Sequence, residues 1–135
     1  MKTLKGLGLA LITTFTLAGC GGGGDGGGGW GAIAYNSSTG GSYIVTNYPN
    51  IGAASSAAIS ALQGCTAGSC RVVADIPPGQ CGSIYVGFLP TFSGPQRYDF
   101  GVGIASTRVE AENIANNAAY MKGANTRQGI SACNG

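Results

Sequence analysis

Residues 30–35 read Trp-Gly-Ala-Ile-Ala-Tyr, and residues 81–86 read Cys-Gly-Ser-Ile-Tyr-Val. Each segment has the apolar and aromatic residues of a β-strand and is followed by residues typical of a turn. Glycine and isoleucine recur at the same places in both, since Gly31 and Ile33 are each matched 51 positions later. This repetition indicates that the chain builds the same small unit twice.

The first unit is predicted to contain two strands, a helix and a third strand. Residues 36–41 form a turn, and the β-branched and aromatic residues of 42–48 form the second strand. Pro49 ends that strand, and Asn50 caps the helix that follows. Residues 71–76 form the third strand. The predicted buried face of the helix has helical spacing and consists of Ala54, Ala58, Ala61, Leu62 and Cys65.

The second unit repeats this order, with a longer turn over residues 88–96. Thr107 and Glu110 form a capping box at the start of its helix, which is predicted to run to residue 121 or 122. Its strands are predicted at 81–86, 97–104 and 128–133. Its inner face is predicted to be Ala111, Ile114, Ala115, Ala118 and Met121. We therefore expect an α+β domain of two pseudo-repeated strand-strand-helix-strand units, mainly antiparallel, with two helices. The alternative is chance alanine matches in an alanine-rich chain.

The domain contains four cysteines, Cys65, Cys70, Cys81 and Cys133. An even number in a small exported domain indicates disulfides, and three pairings are possible. The two helices are 57 positions apart, which places Lys122 and Arg127 where the first unit has Cys65 and Cys70. Because these two cysteines are absent together from the second unit, the pairs Cys65–Cys70 and Cys81–Cys133 are favoured. A thiol redox site or a zinc site is the weaker interpretation.

The N-terminal residues read as an export signal. Two lysines precede an apolar stretch over residues 7–17, which is shorter than the about 20 residues needed to span a bilayer. The stretch ends Leu17-Ala-Gly-Cys20, which resembles the lipobox of bacterial lipoproteins and implies cleavage before Cys20 and its acylation. An ordinary signal peptide with a chance cysteine is the alternative. Gly21, where an aspartate would indicate inner-membrane retention, favours the outer membrane with the domain facing the periplasm.

These assignments divide the chain into a signal peptide (1–19), a lipidated cysteine with a Gly-rich tether (20–29) and one duplicated domain (30–135). The formal charge of +2 comes from the two lysines of the signal peptide, so the mature chain is neutral. A neutral chain lacks the basic face that nucleic-acid binding needs. The chain has no histidine, the commonest general base and metal ligand.

We expect no enzyme, no metal site and no cofactor. Of the acids after the tether, Glu110 belongs to the capping box and Glu112 is expected on an exposed helix face. A glycosidase pair of Asp75 and Asp99 has no support in their spacing. Lys122 is expected to neutralise the end of the helix dipole rather than to activate a serine.

Several segments together resemble domain-of-unknown-function family 4189. The residues that carry the likeness are Trp30–Tyr35, Gly64-Cys65, Cys70-Arg-Val-Val73, Cys81-Gly82 and Ser106–Ala111. The resemblance covers nearly all of residues 30–135 and implies an exported bacterial protein with two such units, but no mechanism. Lys122 and Arg127 depart from the family pattern, which often has a second cysteine pair at these positions.

The longer second turn is the predicted binding surface. It places Phe88, Phe92, Arg97 and Tyr98 on or beside a loop, and aromatic and arginine side chains anchor many interfaces. The alternative is that these residues cover the open end of the sheet. We expect a non-enzymatic binding module with a protein partner in the periplasm, for instance an inhibitor or immunity lipoprotein against a secreted toxin or hydrolase. The alternative function is a structural or ligand-binding envelope lipoprotein, for example one associated with peptidoglycan.

Overall fold

The computed structural model describes residues 29–89 and 97–135. Strands and helices follow one another there in the predicted order. They are β1 (Trp30–Asn36), β2 (Gly41–Tyr48), α1 (Ile51–Ala61), β3 (Cys70–Ile76), β4 (Cys81–Leu89), β5 (Arg97–Ala105), α2 (Arg108–Met121) and β6 (Asn125–Cys133). The predicted signal peptide, Cys20 and the tether up to residue 28 lie outside the described residues.

The strands form two antiparallel sheets of three strands each. The first sheet has the order β2-β1-β3, and the second has the order β5-β4-β6. The first strand of each unit is therefore central, with the other two strands of the same unit on either side. This arrangement confirms the predicted α+β class with two helices, and it is compatible with duplication.

The two sheets pack face to face, and each carries one helix on its outer side. Along β1, Ala32 and Ala34 are buried against α1, whereas Ile33 and Tyr35 pack with Ile84 of the other sheet. This alternation follows from the period of two residues in a strand. The result is a four-layered domain in which β2 contacts β6, β1 contacts β4, and β3 contacts β5.

Helix α2 lies unusually close to β5. A Cβ atom built on Gly103 would lie 2.8 Å from the backbone nitrogen of Ala115, so only glycine leaves room for the helix. The buried residues of α2 are Ala111, Ala115 and Ala119. The prediction that Ile114 and Met121 lie on the inner face is wrong, since they are 44% and 80% exposed. Their side chains are too large for the narrow space over the strand.

Both predicted N-caps are confirmed, but several element ends differ from prediction. The Asn50 side chain accepts a hydrogen bond from the Ala53 amide at 2.8 Å, and Thr107 accepts one from the Glu110 amide at 3.2 Å. Helix α1 ends at Ala61, so Leu62 is its C-cap and Cys65 lies beyond it. The backbone turns away just afterwards, at Gly64, where φ is +71°.

Strand β4 is longer than predicted. It continues to Leu89 because Phe88 and Leu89 pair with Tyr98 and Arg97 of β5. Phe88 therefore lies in a strand, and only residues 90–96 of the predicted turn separate the two strands. Cross-strand pairing, which single-sequence turn signals do not register, accounts for this difference.

The cysteines pair within each unit at the positions that the repeat favours. Cys81 and Cys133 are register partners on β4 and β6, with Cα atoms 3.9 Å apart. Cys65 and Cys70 span the connection from α1 to β3, with Cα atoms 5.6 Å apart. Asn134 then links the units, because its buried amide donates to the carbonyl oxygens of Ile76 and Pro77 at 2.9 and 2.8 Å. Within residues 29–89 and 97–135, no helix is long and apolar enough to cross a membrane.

Candidate binding site

An aromatic pair marks one end of the two-sheet sandwich. Phe88 and Tyr98 are cross-strand partners, and their ring centroids lie 5.2 Å apart at an interplanar angle of 42°. Phe88 is 39% exposed, although its strand neighbour Ile84 is fully buried. The side chains of β4 that face the other sheet therefore pass from core to surface towards this end of the strand.

A cleft of about 390 Å³ opens beside this pair. Its walls come from the turn between β1 and β2, the start of β2, the end of β4, the start of β5 and the middle of β6. Its polar side chains are Thr39, Ser42 and Gln128, and its larger apolar ones are Val86, Phe88, Tyr98 and Ile130. Gly40, Gly87 and Gly129 complete the lining. No described residue of the lining carries a charge.

The turn between β1 and β2 is held rigidly over Tyr98. A Cβ atom on Gly40 would come within 2.7 Å of the Tyr98 ring, and the φ of Gly40 is +78°, so glycine is required there on both counts. Asn36, fully buried, donates to the Gln63 carbonyl at 2.9 Å and accepts from the Ser38 hydroxyl at 2.7 Å. The wall of the cleft is therefore preformed.

Two of the four predicted binding residues meet in this cleft. Phe88 and Tyr98 line it, and Arg97 begins β5 with an exposed side chain opposite Leu89. Phe92 lies outside the described residues. The structure thus brings three of the predicted residues to one end of the domain.

Sequence reasoning missed the polar lining of the cleft. The sequence predicts a turn at Thr39 and strands at Ser42 and Gln128, and it indicates no binding role for any of the three. One signal was available: pairing Cys81 with Cys133 across antiparallel strands sets a register that pairs Val86 with Gln128. That register alone places Gln128 beside the predicted aromatic residues.

Comparison with known proteins supports the likeness seen in the sequence. The family model for the domain of unknown function DUF4189 matches residues 30–133. The chain belongs to this family. Searches of curated proteins and of solved structures found no significant match.

The DUF4189 domain has a second cluster around Phe100, which lies two residues after Tyr98 on β5. Lys122 lies 4.4 Å from the centroid of this ring, and the Arg71 guanidinium lies 5.7 Å from it, within the range of cation–π contacts. Lys122 also donates to the Phe100 carbonyl at 2.6 Å and lies 3.5 Å from the Asp99 carboxylate. Lys122 thus ties the end of α2 to β5.

Two of the four described acids, Asp99 and Glu112, are engaged in the structure of the domain. Asp99 pairs with Lys122, and Asp75 is exposed on β3. Glu110 is exposed in the first turn of α2. The prediction that Glu112 is exposed is wrong, because this side chain is half-buried and accepts a hydrogen bond from the Ser131 hydroxyl at 2.5 Å. Among the residues that the structure describes, no three acids or cysteines are close enough together to hold a metal.

Tyr35 places a hydroxyl in the core between the sheets. The residue is 2% exposed, and its hydroxyl has no hydrogen-bond partner among the described residues. Burial raises the pKa of Tyr35 above its usual value, and the charge of Asp99 raises it further, while Arg71 opposes both. The folded domain therefore favours the neutral phenol.

At pH 7, the Tyr35→Phe variant is expected to be as stable as the parent chain or about 1 kcal/mol more stable, because an unpaired buried hydroxyl carries a desolvation cost. Since the pKa of Tyr35 is raised by folding, its hydroxyl disfavours the folded state as the pH rises above about 10, where the unfolded chain ionises. The variant should therefore lose less stability than the parent chain in alkali. Urea unfolding at pH 7 and in alkali measures both effects. A clear loss at pH 7 would show that the hydroxyl has a partner.

Proposed function

We propose that this DUF4189 protein is a lipid-anchored, non-enzymatic binding module that faces the periplasm and captures a protein partner. The observation that carries the proposal is the grouping of Phe88, Tyr98 and Arg97 at one end of a rigid scaffold. Tyrosine and arginine are enriched among the few residues that carry most of the binding energy in protein interfaces. A scaffold fixed by two disulfides loses little conformational entropy on binding.

The direction of β1 supports this assignment of the binding end. The tether joins the domain at Trp30, where β1 begins, and the cleft begins at Thr39, after β1 has ended. Seven residues of strand span about 23 Å. An anchor on Cys20 therefore holds the domain by one end and presents the cleft and Arg97 at the other, away from the membrane.

The composition of residues 21–29, eight glycines of nine, suits a tether between the proposed anchor and the domain. For a glycine-rich linker of this length the expected r.m.s. reach is roughly 17 Å. Two or three acyl chains hold a protein firmly, so the partner meets a module confined to the membrane surface. Such a module suits the inhibition or neutralisation of a secreted toxin or hydrolase near the outer membrane.

The anchor is tested by metabolic labelling of bacteria that produce the full chain. We expect a palmitate analogue to label the protein and the labelled protein to fractionate with the outer membrane. Cys20→Ser should abolish the label and leave an uncleaved precursor. Equal labelling of Cys20→Ser, or a labelled protein confined to the inner membrane, would contradict the proposed anchor or its location.

The partner is tested by photo-cross-linking in living cells. A photoreactive phenylalanine analogue at position 88 or 97 should give one protein adduct of fixed mass, whereas the same analogue at position 109 should give none. Val109 is a suitable control because it is 66% exposed on α2, away from the cleft. Arg97→Ala should reduce the adduct at position 88 at least fivefold.

Adducts of equal yield from positions 88 and 109 would show that this end of the domain is not a specific interface. Binding of the protein to purified peptidoglycan sacculi, with no protein adduct at either position, would favour the structural envelope lipoprotein instead.

A further inference from the structure

We infer that the cleft beside Phe88 binds one uncharged pyranose unit of a carbohydrate. This inference does not rest on the protein partner proposed above: it shares Phe88 and Tyr98 with that surface, but it is argued from the lining of the cleft and not from Arg97. A volume of about 390 Å³ is at the small end of the range for ligand sites, roughly 300–1,000 Å³. It suits a single ring better than an extended polymer.

The charge of the cleft selects among classes of ligand. Recognition of a phosphate or a carboxylate normally uses arginine, lysine or a group of backbone amides at a helix start. None of the described lining residues is charged, and none belongs to a helix. Outside the lining, the Arg97 side chain is exposed at the rim, and Lys122 is bonded to β5. A neutral ligand is therefore favoured.

The apolar side of the cleft matches one face of a sugar ring. Phe88 is exposed beside Tyr98, and Ile130 is 43% exposed although its register partner Ile84 is fully buried. The aromatic face carries negative potential and attracts the weakly positive C–H bonds on one face of a pyranose. The Ile130 side chain adds apolar contact area to the cleft without adding charge.

The polar side of the cleft offers hydrogen-bonding groups that the domain does not use. The Ser42 hydroxyl and the Gln128 amide make no hydrogen bond with any described residue, and the Thr39 hydroxyl accepts from the Gly41 amide but keeps its own proton free. Hydroxyl and amide groups both donate and accept, as sugar hydroxyls do. The cleft thus combines three such groups with an aromatic surface. An aliphatic peptide side chain in the cleft would leave the hydrogen-bonding groups without partners.

The experiment uses the full chain, labelled with ¹⁵N-glycine and purified from the bacterial envelope in a detergent without a sugar headgroup. N-acetylglucosamine and methyl β-glucopyranoside are the neutral probes, and glucosamine and glucose 6-phosphate are the charged ones. The neutral sugars should shift the amide signals of Gly40, Gly87 and Gly129 saturably. Gly68 and Gly79 should not respond, because they lie in turns outside the cleft.

Substitutions within the cleft then test the individual contacts. Gln128→Ala and Ser42→Ala should each weaken binding of the neutral sugars about 2- to 10-fold, the range for one hydrogen bond. Phe88→Ala should weaken it at least tenfold, and Val109→Ala should leave it unchanged. Gln128 is exposed, so its variant keeps the test valid if Phe88→Ala fails to fold.

Three results would overturn the inference. They are an absence of shifts at the cleft glycines at tens of millimolar sugar, equal binding of glucose 6-phosphate, and full affinity in Gln128→Ala. Shifts of the cleft glycines that appear only with the cross-linked protein partner would assign the cleft to a protein side chain. That outcome would leave the protein-binding function intact and remove the carbohydrate site.

Discussion

Replacing Cys81 and Cys133 together by alanine is expected to lower the free energy of unfolding by about 4 kcal/mol. The bond joins β4 to β6 across a sequence separation of 52 residues, so it removes a large part of the entropy of the unfolded chain. In the folded domain it also contributes to the small cluster with Ala105 and Ala111 under α2. The loss is comparable with the whole stability of many small domains.

The matched control is removal of the other bond. Cys65 and Cys70 are only five positions apart, so the same model assigns their bond about 2 kcal/mol. Urea unfolding of both double variants, followed by circular dichroism, gives the two values. A smaller loss for the Cys81–Cys133 variant than for the Cys65–Cys70 variant would refute the account based on loop length.

Gly103→Ala is expected to cost about 3 kcal/mol, an effect at the upper end of the range for overpacking. Its new methyl group would lie 2.8 Å from the Ala115 nitrogen and 2.9 Å from the Cβ atom of Ile114, and still closer to the Ala111 carbonyl oxygen. These neighbours are mostly backbone, which cannot rotate aside. The helix must therefore move off β5, which opens gaps along the Ala111, Ala115 and Ala119 row.

Gly52→Ala makes the same chemical change where space exists. A methyl group there would lie 3.4 Å from the Asn50 side-chain oxygen, an ordinary contact, and it would be in helix α1. Alanine should stabilise that helix by about 0.5–1 kcal/mol. We therefore expect Gly103→Ala to lower the stability and Gly52→Ala to raise it, in thermal unfolding and in urea unfolding alike. Similar stability of Gly103→Ala and the parent chain would show that α2 does not rest on β5 as described.

Local physical rules accounted for the order of elements and the helix starts. Asn50 and Thr107 cap their helices because the side-chain oxygen of each accepts a hydrogen bond from a backbone amide three residues later. The sequence signal for a helix start is therefore wholly local. The two cysteine pairs came from comparing the units, in which Cys65 and Cys70 are lost together. The repeat supplied information about distant contacts that one unit alone would not contain.

The helix faces and strand ends depended on neighbours that the sequence does not display. Helical spacing groups Ile114 and Met121 with Ala111, but the inner face of α2 is rotated so that only alanines meet β5. The presence of Gly103 on the facing strand decides this rotation. Likewise, Phe88 joins a strand because Tyr98 pairs with it, although Pro90 follows closely.

The candidate site likewise combines residues that the sequence indicates with residues that only the fold brings together. Aromatic composition pointed to Phe88 and Tyr98, because exposed rings in a turn region are typical of binding surfaces. The cleft itself required Thr39 and Ser42, from the β1–β2 turn and the start of β2, and Gln128, from β6 of the other unit. Only the packing of one sheet on the other brings them within reach of one ligand.

The sequence by itself determined the α+β class, the two repeated units, the helix caps and the favoured cysteine pairs. Each of these follows from short-range chemistry or from comparison of the chain with itself. The tertiary structure decided that the sheets pack face to face and that α2 rests on glycines. It also decided that an uncharged cleft lies beside the turn between β1 and β2, beyond the end of β1 that is opposite to Trp30. Those features depend on which surfaces meet, and close packing between distant segments is a property that no local pattern encodes.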